Sequence, residues 1–200
     1  MLKGISRTYP DGTRGTQEIE FSDGINILIG NTEDFFREIL QRFSGDYDEP
    51  LKHINESWVY SYDEGFEIRL LANRCDALLA VLRAVLLGLA DKGGNSKDFV
   101  LFINNYVMNF HFMLVPRLVE DILEVSRQGV QVFIATNDYI FAKYFEVRRK
   151  EGDSMRFYSI GENSTDNIEH NEYFRDLKNN YAIEVFDALM DDVFVKNLGD

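Results

Sequence analysis

Residues 25–43 read INILIGNTEDFFREILQRF, and this stretch decides the predicted fold. The run Ile25–Ile29 is nearly all apolar and β-branched, which is typical of a strand covered on both faces in a parallel sheet. Gly30 ends the run. From Glu33 to Phe43 the apolar residues recur with the period of one helix face, and Thr32 can cap that helix. The stretch therefore predicts a strand, a tight turn and a helix in direct succession.

The same alternation of strands and helices continues along the chain. Further buried strands are predicted at residues 99–103, 130–135 and 156–160. Helices are predicted at residues 76–90, 112–127 and 139–145, and residues 172–195 are expected to form one long helix or a pair. Antiparallel hairpins are predicted for strands at residues 1–9 and 17–21, and for strands at residues 57–62 and 65–71. We therefore predict a three-layer α/β fold, with a mostly parallel sheet flanked by helices and an N-terminal antiparallel β element.

The composition indicates a single domain spanning residues 1–200. A chain of 200 residues with 45% hydrophobic residues can bury one substantial core and is short for two. Its formal net charge of −13 repels phosphate backbones, so direct binding to nucleic acid is disfavoured. The N-terminus lacks the apolar core of a signal peptide, and the longest apolar run, residues 77–90, is too short to span a bilayer. We expect a cytoplasmic protein without membrane contact.

Few residues suggest a metal site or a nucleophile. Cys75 is the single cysteine, and a half-buried structural thiol is favoured over a catalytic one. The histidines His53, His111 and His170 are far apart in sequence, and no pair has zinc-site spacing. The acidic cluster at residues 46–49 is expected to be a solvated loop. The sequence therefore predicts no bound metal.

Three segments, in this order, resemble a known family: residues 25–40, 99–123 and 131–145. They are similar to the ATPase domain of ABC-type proteins of the SMC, RecF and overcoming-lysogenization-defect kind. Small stand-alone AAA-type ATPases of anti-phage and abortive-infection systems belong to the same group. The resemblance runs nearly end to end and implies a single ABC ATPase-like domain with a P-loop NTPase fold.

In that family the first strand leads into a glycine-rich loop that holds the phosphates of ATP. Such a loop needs glycines, a lysine for the phosphates and a hydroxyl for Mg²⁺. The resemblance places the vestige of this loop at Gly30, Asn31 and Thr32. No lysine lies between Lys3 and Lys52, and Glu33 and Asp34 follow where phosphates would lie. The turn is retained in the sequence, but the groups that would hold a phosphate are replaced.

The other family positions are replaced as well. Asn104 and Asn105 stand where the family has the aspartate that supports Mg²⁺ and the glutamate that polarises water. Asn137 stands where the family has a histidine that contacts the γ-phosphate, and Asp138 follows it. The serine–glycine signature expected just before residue 77 is absent. An amide is neither a general base nor a strong Mg²⁺ ligand, so the resemblance implies a catalytically degenerate member.

These observations favour a non-hydrolysing binding or regulatory module over an enzyme. We expect it to act with a protein partner or as a homo- or heterodimer, and to hold neither ATP nor Mg²⁺. The alternative is a nucleotide-binding protein or ATPase with an altered site built from Asn104, Asn105, Asn137 and Asp138. A DNA-associated structural role is disfavoured by the net charge and by the gap of about 40 residues where relatives carry a coiled-coil arm.

Overall fold

The computed structural model describes residues 1–8, 15–32, 57–62, 67–71, 82, 99–104, 112–161 and 168–198. The strands are β1 (Leu2–Thr8), β2 (Thr16–Glu20), β3 (Ile25–Gly30), β4 (Ser57–Tyr62), β5 (Glu67–Leu71), β6 (Phe99–Asn104), β7 (Gln131–Ala135), β8 (Met155–Ile160) and β9 (Glu169–Asn171). The α-helices are α1 (Val115–Arg127), α2 (Tyr139–Arg148) and α3 (Tyr181–Leu198). Short 3-10 helices cover Phe112–Leu114 and Phe174–Asp176.

The strands form two sheets. The larger sheet has six strands in the order β5-β6-β7-β3-β8-β9, and all neighbours are parallel except the pair β8 and β9. The smaller sheet is antiparallel, in the order β2-β1-β4. The predicted α/β class, the mostly parallel sheet and the N-terminal antiparallel element are therefore confirmed.

Both faces of β3 are buried, as its sequence predicts. Because neighbouring side chains on a strand point to opposite faces, Ile25, Ile27 and Ile29 join one hydrophobic cluster and Leu28 joins another. The first cluster contains the buried residues of α1 and α2 together with Ala182 at the start of α3. The second packs the larger sheet against β1 and β2. Among the described residues, α-helices therefore cover one face of the parallel sheet and the antiparallel sheet covers the other.

A buried polar network connects the two sheets at their N-terminal edge. The Gln131 side chain accepts a hydrogen bond from Leu2 N–H at 2.8 Å and donates to the carbonyl oxygens of Leu2 and Ser22 at 2.7 and 2.8 Å. Asn26 Oδ1 accepts from Ser22 N–H and from the Tyr158 hydroxyl. Burial raises the pKa of the Tyr158 hydroxyl, so it stays a proton donor. The network fixes where β1 lies on the larger sheet.

The predicted hairpin of residues 57–71 is wrong. β4 pairs antiparallel with β1 in the smaller sheet, whereas β5 pairs parallel with β6 in the larger one. Turn residues between two short strands fit a hairpin and a connection to a different sheet equally well, since both interrupt the regular structure. The partner of each strand is decided by which sheet edge it can reach.

The C-terminal helix begins later than the sequence predicts. Residues 172–180 form irregular structure with one 3-10 turn, and α3 starts at Tyr181. Asn179 has a φ of 52°, a left-handed conformation that a helix does not continue through. The Asn180 side chain then accepts from Ile183 N–H at 3.3 Å and supports the new helix start. The helix predicted at residues 33–43 lies outside the described residues, as does that at 76–90 except for the buried helical residue Leu82.

Candidate functional site

The three strands that carry the family resemblance end side by side. β7 lies between β6 and β3 and is parallel to both. At the carboxyl edge Asn104 is in register with Ala135, and Ala135 is in register with Leu28. Ligands of open α/β sheets bind outside this edge. The backbones of Asn104 and of the Gly30 turn, and the chain just before Asn137, therefore lie at the carboxyl ends of the adjacent strands β6, β3 and β7.

The turn at Gly30 packs closely against β8. Gly30 has a φ of 101°, and a Cβ atom at this position would overlap the carbonyl oxygen of Ile160. The same carbonyl oxygen accepts a hydrogen bond from Asn31 N–H at 3.1 Å, and Thr32 N–H donates to the Gly30 carbonyl at 3.0 Å. A glycine is thus required here by the fold itself, without reference to any ligand.

Asn137 closes this turn through its side-chain amide. Its Oδ1 accepts a hydrogen bond from Gly30 N–H at 2.7 Å, and its Nδ2 donates to the Gly30 carbonyl oxygen at 3.4 Å. Only a side chain with both an acceptor and a donor can contact a backbone N–H and C=O together, and a carboxylate cannot do so. The N–H group of Gly30 is therefore already bonded to the Asn137 side chain.

Asp138 has a local structural role at the same edge. Its carboxylate accepts a hydrogen bond from Phe141 N–H at 3.1 Å and caps the N-terminus of α2. Its own N–H donates to the Thr136 hydroxyl at 3.0 Å. A carboxylate at a helix start is also favoured by the helix dipole. Helix capping accounts for this residue without a catalytic role.

The Thr32 hydroxyl is a buried polar group that makes no hydrogen bond among the described residues. The side chain of Thr32 is 1% exposed. A buried hydroxyl without a hydrogen-bond partner is energetically unfavourable. Asn105 and the side chain of Asn104 lie outside what the structure describes. Of the predicted site residues, Gly30 and Asn137 are thus in direct contact, with Asn31 and Thr32 beside them.

Sequence reasoning missed one residue that shapes the site, Ile160. Its contribution is a backbone carbonyl on β8, more than a hundred residues from the turn it contacts. No residue type is required at that position, because every residue has the same carbonyl. The pairing of β3 with β8 alone brings it to Gly30, and no local sequence signal indicates that pairing.

One cavity among the described residues lies at the opposite edge of the sheet. It has a volume of about 340 Å³, and its lining includes Gly24, Lys3 and Asp153. Its charged side chains are paired: Lys3 Nζ lies 3.0 Å from Asp23, and Arg127 makes two hydrogen bonds to Asp153 at 2.8 and 2.9 Å. Paired charges leave little net attraction for a charged ligand. This cavity is separate from the edge where the family resemblance places a site.

The part of the chain that the structure describes includes no group of three histidine, cysteine, aspartate or glutamate residues placed to hold a metal ion. None of the described helices combines the length and apolar character needed to cross a membrane. No protein-family model matches this sequence, and no curated protein matches it either.

Proposed function

We propose that this chain is a non-hydrolysing ABC ATPase-like domain that works as a binding or regulatory module with a protein partner. The observation that carries the proposal is the pair of hydrogen bonds between Asn137 and the backbone of Gly30. In a working phosphate loop, the first N–H groups face the ligand. Here Asn137, which stands where the family has the histidine that contacts the γ-phosphate, bonds to the backbone of Gly30 instead.

The arrangement of the strands supports this proposal. The three segments that resemble the family lie on the neighbouring parallel strands β3, β7 and β6, and their polar residues follow the same edge. Every parallel sheet brings the residues after its strands to one edge, and the adjacent order of β3, β7 and β6 places these polar residues next to one another there. The resemblance thus concerns residues that are close in space as well as ordered in sequence.

The chemistry of the residues supports a loss of hydrolysis. Hydrolysis of a nucleoside triphosphate needs a positive group on the phosphates, a metal site and a base or polariser for water. Asn104, Asn105 and Asn137 offer neutral amides, and no lysine lies between Lys3 and Lys52. Asp138 is the one carboxylate among the predicted site residues, and its side chain caps α2. What such an edge can still do is hold a backbone in a fixed shape for another protein.

Titration of the 200-residue chain with Mg·ATP by calorimetry tests the proposal. We expect no binding tighter than a dissociation constant of about 1 mM, which corresponds to roughly 4 kcal/mol. The variant Asn137→Ala, which releases Gly30 N–H, is expected to behave in the same way because the lysine is still missing. A micromolar dissociation constant for the unmodified chain would overturn the proposal. Binding by the variant alone would show that amide closure, and not the missing lysine, blocks the site.

The buried, unpartnered hydroxyl of Thr32 favours one second candidate, a nucleotide-binding protein with an altered site. In that case the same titration gives micromolar binding, and Thr32→Val weakens it by about tenfold or more because one hydrogen bond to a charged oxygen is lost. Asn104→Ala is the matching test for hydrolysis, since Asn104 ends β6 at the same edge of the sheet. The titration of the unmodified chain with Mg·ATP thus separates the two candidates.

A further inference from the structure

The C-terminal helix α3 is packed on the domain mainly at its beginning. Ala182 is buried, whereas from residue 187 to residue 197 every side chain is exposed except the half-buried Met190. Leu189 and Val193 continue the face of Ala182 at 100° per residue, so the apolar face of α3 extends past the domain. A helix with few buried contacts separates from a domain at a small cost in free energy while the rest stays folded. The docking of α3 is therefore an equilibrium that a few contacts can shift.

The first anchor of α3 is connected to the candidate site through the start of α2. The Phe186 ring stacks on the Tyr139 ring with 4.0 Å between their centroids, and Tyr139 is the first residue of α2. Asn137, which closes the Gly30 turn, lies two residues earlier. Asp138 between them caps α2, so this short segment has little freedom to absorb a movement. A shift of the Asn137 backbone therefore moves the ring on which Phe186 stacks.

The second anchor of α3 is connected to the same turn through the end of β8. The Ser159 hydroxyl donates a hydrogen bond to the carbonyl oxygen of Asn179, which lies two residues before α3. Ile160, the next residue of β8, accepts a hydrogen bond from Asn31 N–H and lies against Gly30. Neighbouring residues of one strand thus hold the start of α3 and the turn. A movement of this strand end changes both contacts together.

We propose that α3 is a regulatory element controlled by the candidate site, docked while Asn137 holds Gly30 and undocked when that contact opens. A group of a partner protein that binds Gly30 N–H must displace the Asn137 amide, because the 2.7 Å hydrogen bond occupies this N–H. The displacement loosens Tyr139 and with it the stack on Phe186. The inference rests on the proposed function, because it takes the Gly30 turn as the part of the module that a partner changes.

Hydrogen exchange of the 200-residue chain, followed by mass spectrometry without nucleotide, tests the proposal. Asn137→Ala opens the contact, and the backbone amides of α3 are expected to exchange about five- to tenfold faster, the factor that one lost hydrogen bond supplies. Gln131→Leu is the matched control, because it removes the buried hydrogen bonds to Leu2 at the opposite edge of the sheet. Its α3 amides are expected to exchange within about twofold of the unmodified chain, since α3 opens locally.

Phe186→Ala tests whether the ring stack carries the effect. This variant is expected to speed the exchange of α3 by about tenfold or more, because a packed aromatic ring leaves the contact. In the double variant Asn137→Ala/Phe186→Ala, the increase is expected to be smaller than the product of the two single increases. Residues that act through one contact are not additive, whereas independent residues are.

Three results overturn the proposal. They are an unchanged exchange rate of α3 in Asn137→Ala, an equal increase in Gln131→Leu, and a double variant that shows the full product. Circular dichroism checks that each variant is folded under the conditions of the measurement. The exchange experiment contains no nucleotide, whereas the proposed function fails or holds in the ATP titration, so the two failures are distinguishable.

Discussion

The substitution Gly30→Ala tests whether the glycine at the candidate site is required by the fold alone. Two costs are expected. The first is the backbone conformation, because φ is 101° and residues with a Cβ rarely adopt it. The second is the overlap of the new Cβ with the carbonyl oxygen of Ile160, which also accepts from Asn31 N–H. Moving that carbonyl away weakens the hydrogen bond and disturbs the pairing of β3 with β8.

Gly152 separates these two costs. It has a φ of 90°, and a Cβ built there meets nothing within 4 Å. Gly152→Ala therefore carries the conformational cost only, about 1 kcal/mol after the gain from a stiffer unfolded chain. Gly30→Ala adds the displacement of packed backbone, about 2–3 kcal/mol more. Its total of about 3–4 kcal/mol is a large part of a typical stability of 5–15 kcal/mol.

Urea unfolding followed by circular dichroism measures both variants. For a domain of this size, 2–3 kcal/mol corresponds to a difference of about 1 M between their midpoints. Gly30→Ala is expected to unfold first. If the unfolding free energies of the two variants differ by less than about 1 kcal/mol, the close packing of Ile160 against the turn does not constrain residue 30, and this reasoning is refuted.

Two further changes test the long-range polar contacts. Gln131→Leu is expected to lower the unfolding free energy by about 2–4 kcal/mol, because the buried N–H and C=O of Leu2 lose their partner. Urea unfolding measures this change. Gln128 is exposed and serves as the control, and the unfolding free energy of Gln128→Leu is expected within about 0.5 kcal/mol of the unmodified chain. The Arg127 guanidinium holds the pKa of the Asp153 carboxyl below its ordinary value of 3.8. The ionised carboxylate therefore stabilises the folded chain above that pH. This stabilisation is lost as the pH falls through the lowered pKa. Asp153→Asn is therefore expected to lower the unfolding free energy by about 1–2 kcal/mol at neutral pH, with the difference shrinking below about pH 4; a pH-independent difference would contradict the assignment.

Much of the candidate site could be predicted from sequence because its parts are local signals. The strand at 25–29, the glycine after it and the apolar strand before Asn104 each follow from a few neighbouring residues. Asp138 also caps α2, a role that was not predicted for it. The contact between Asn137 and Gly30 was not visible, since the two residues are 107 positions apart.

The sequence by itself determined that β3 is buried on both of its faces, because an almost unbroken apolar run is stable only inside a sheet. It also determined that no lysine follows this strand before Lys52. Only the tertiary structure decided that β4 and β5 join different sheets, that Ile160 lies against Gly30, and that the apolar face of α3 extends past the domain. The physical reason is that local patterns follow the two- and 3.6-residue periods of strands and helices, whereas these pairings depend on which surfaces meet when distant segments pack together.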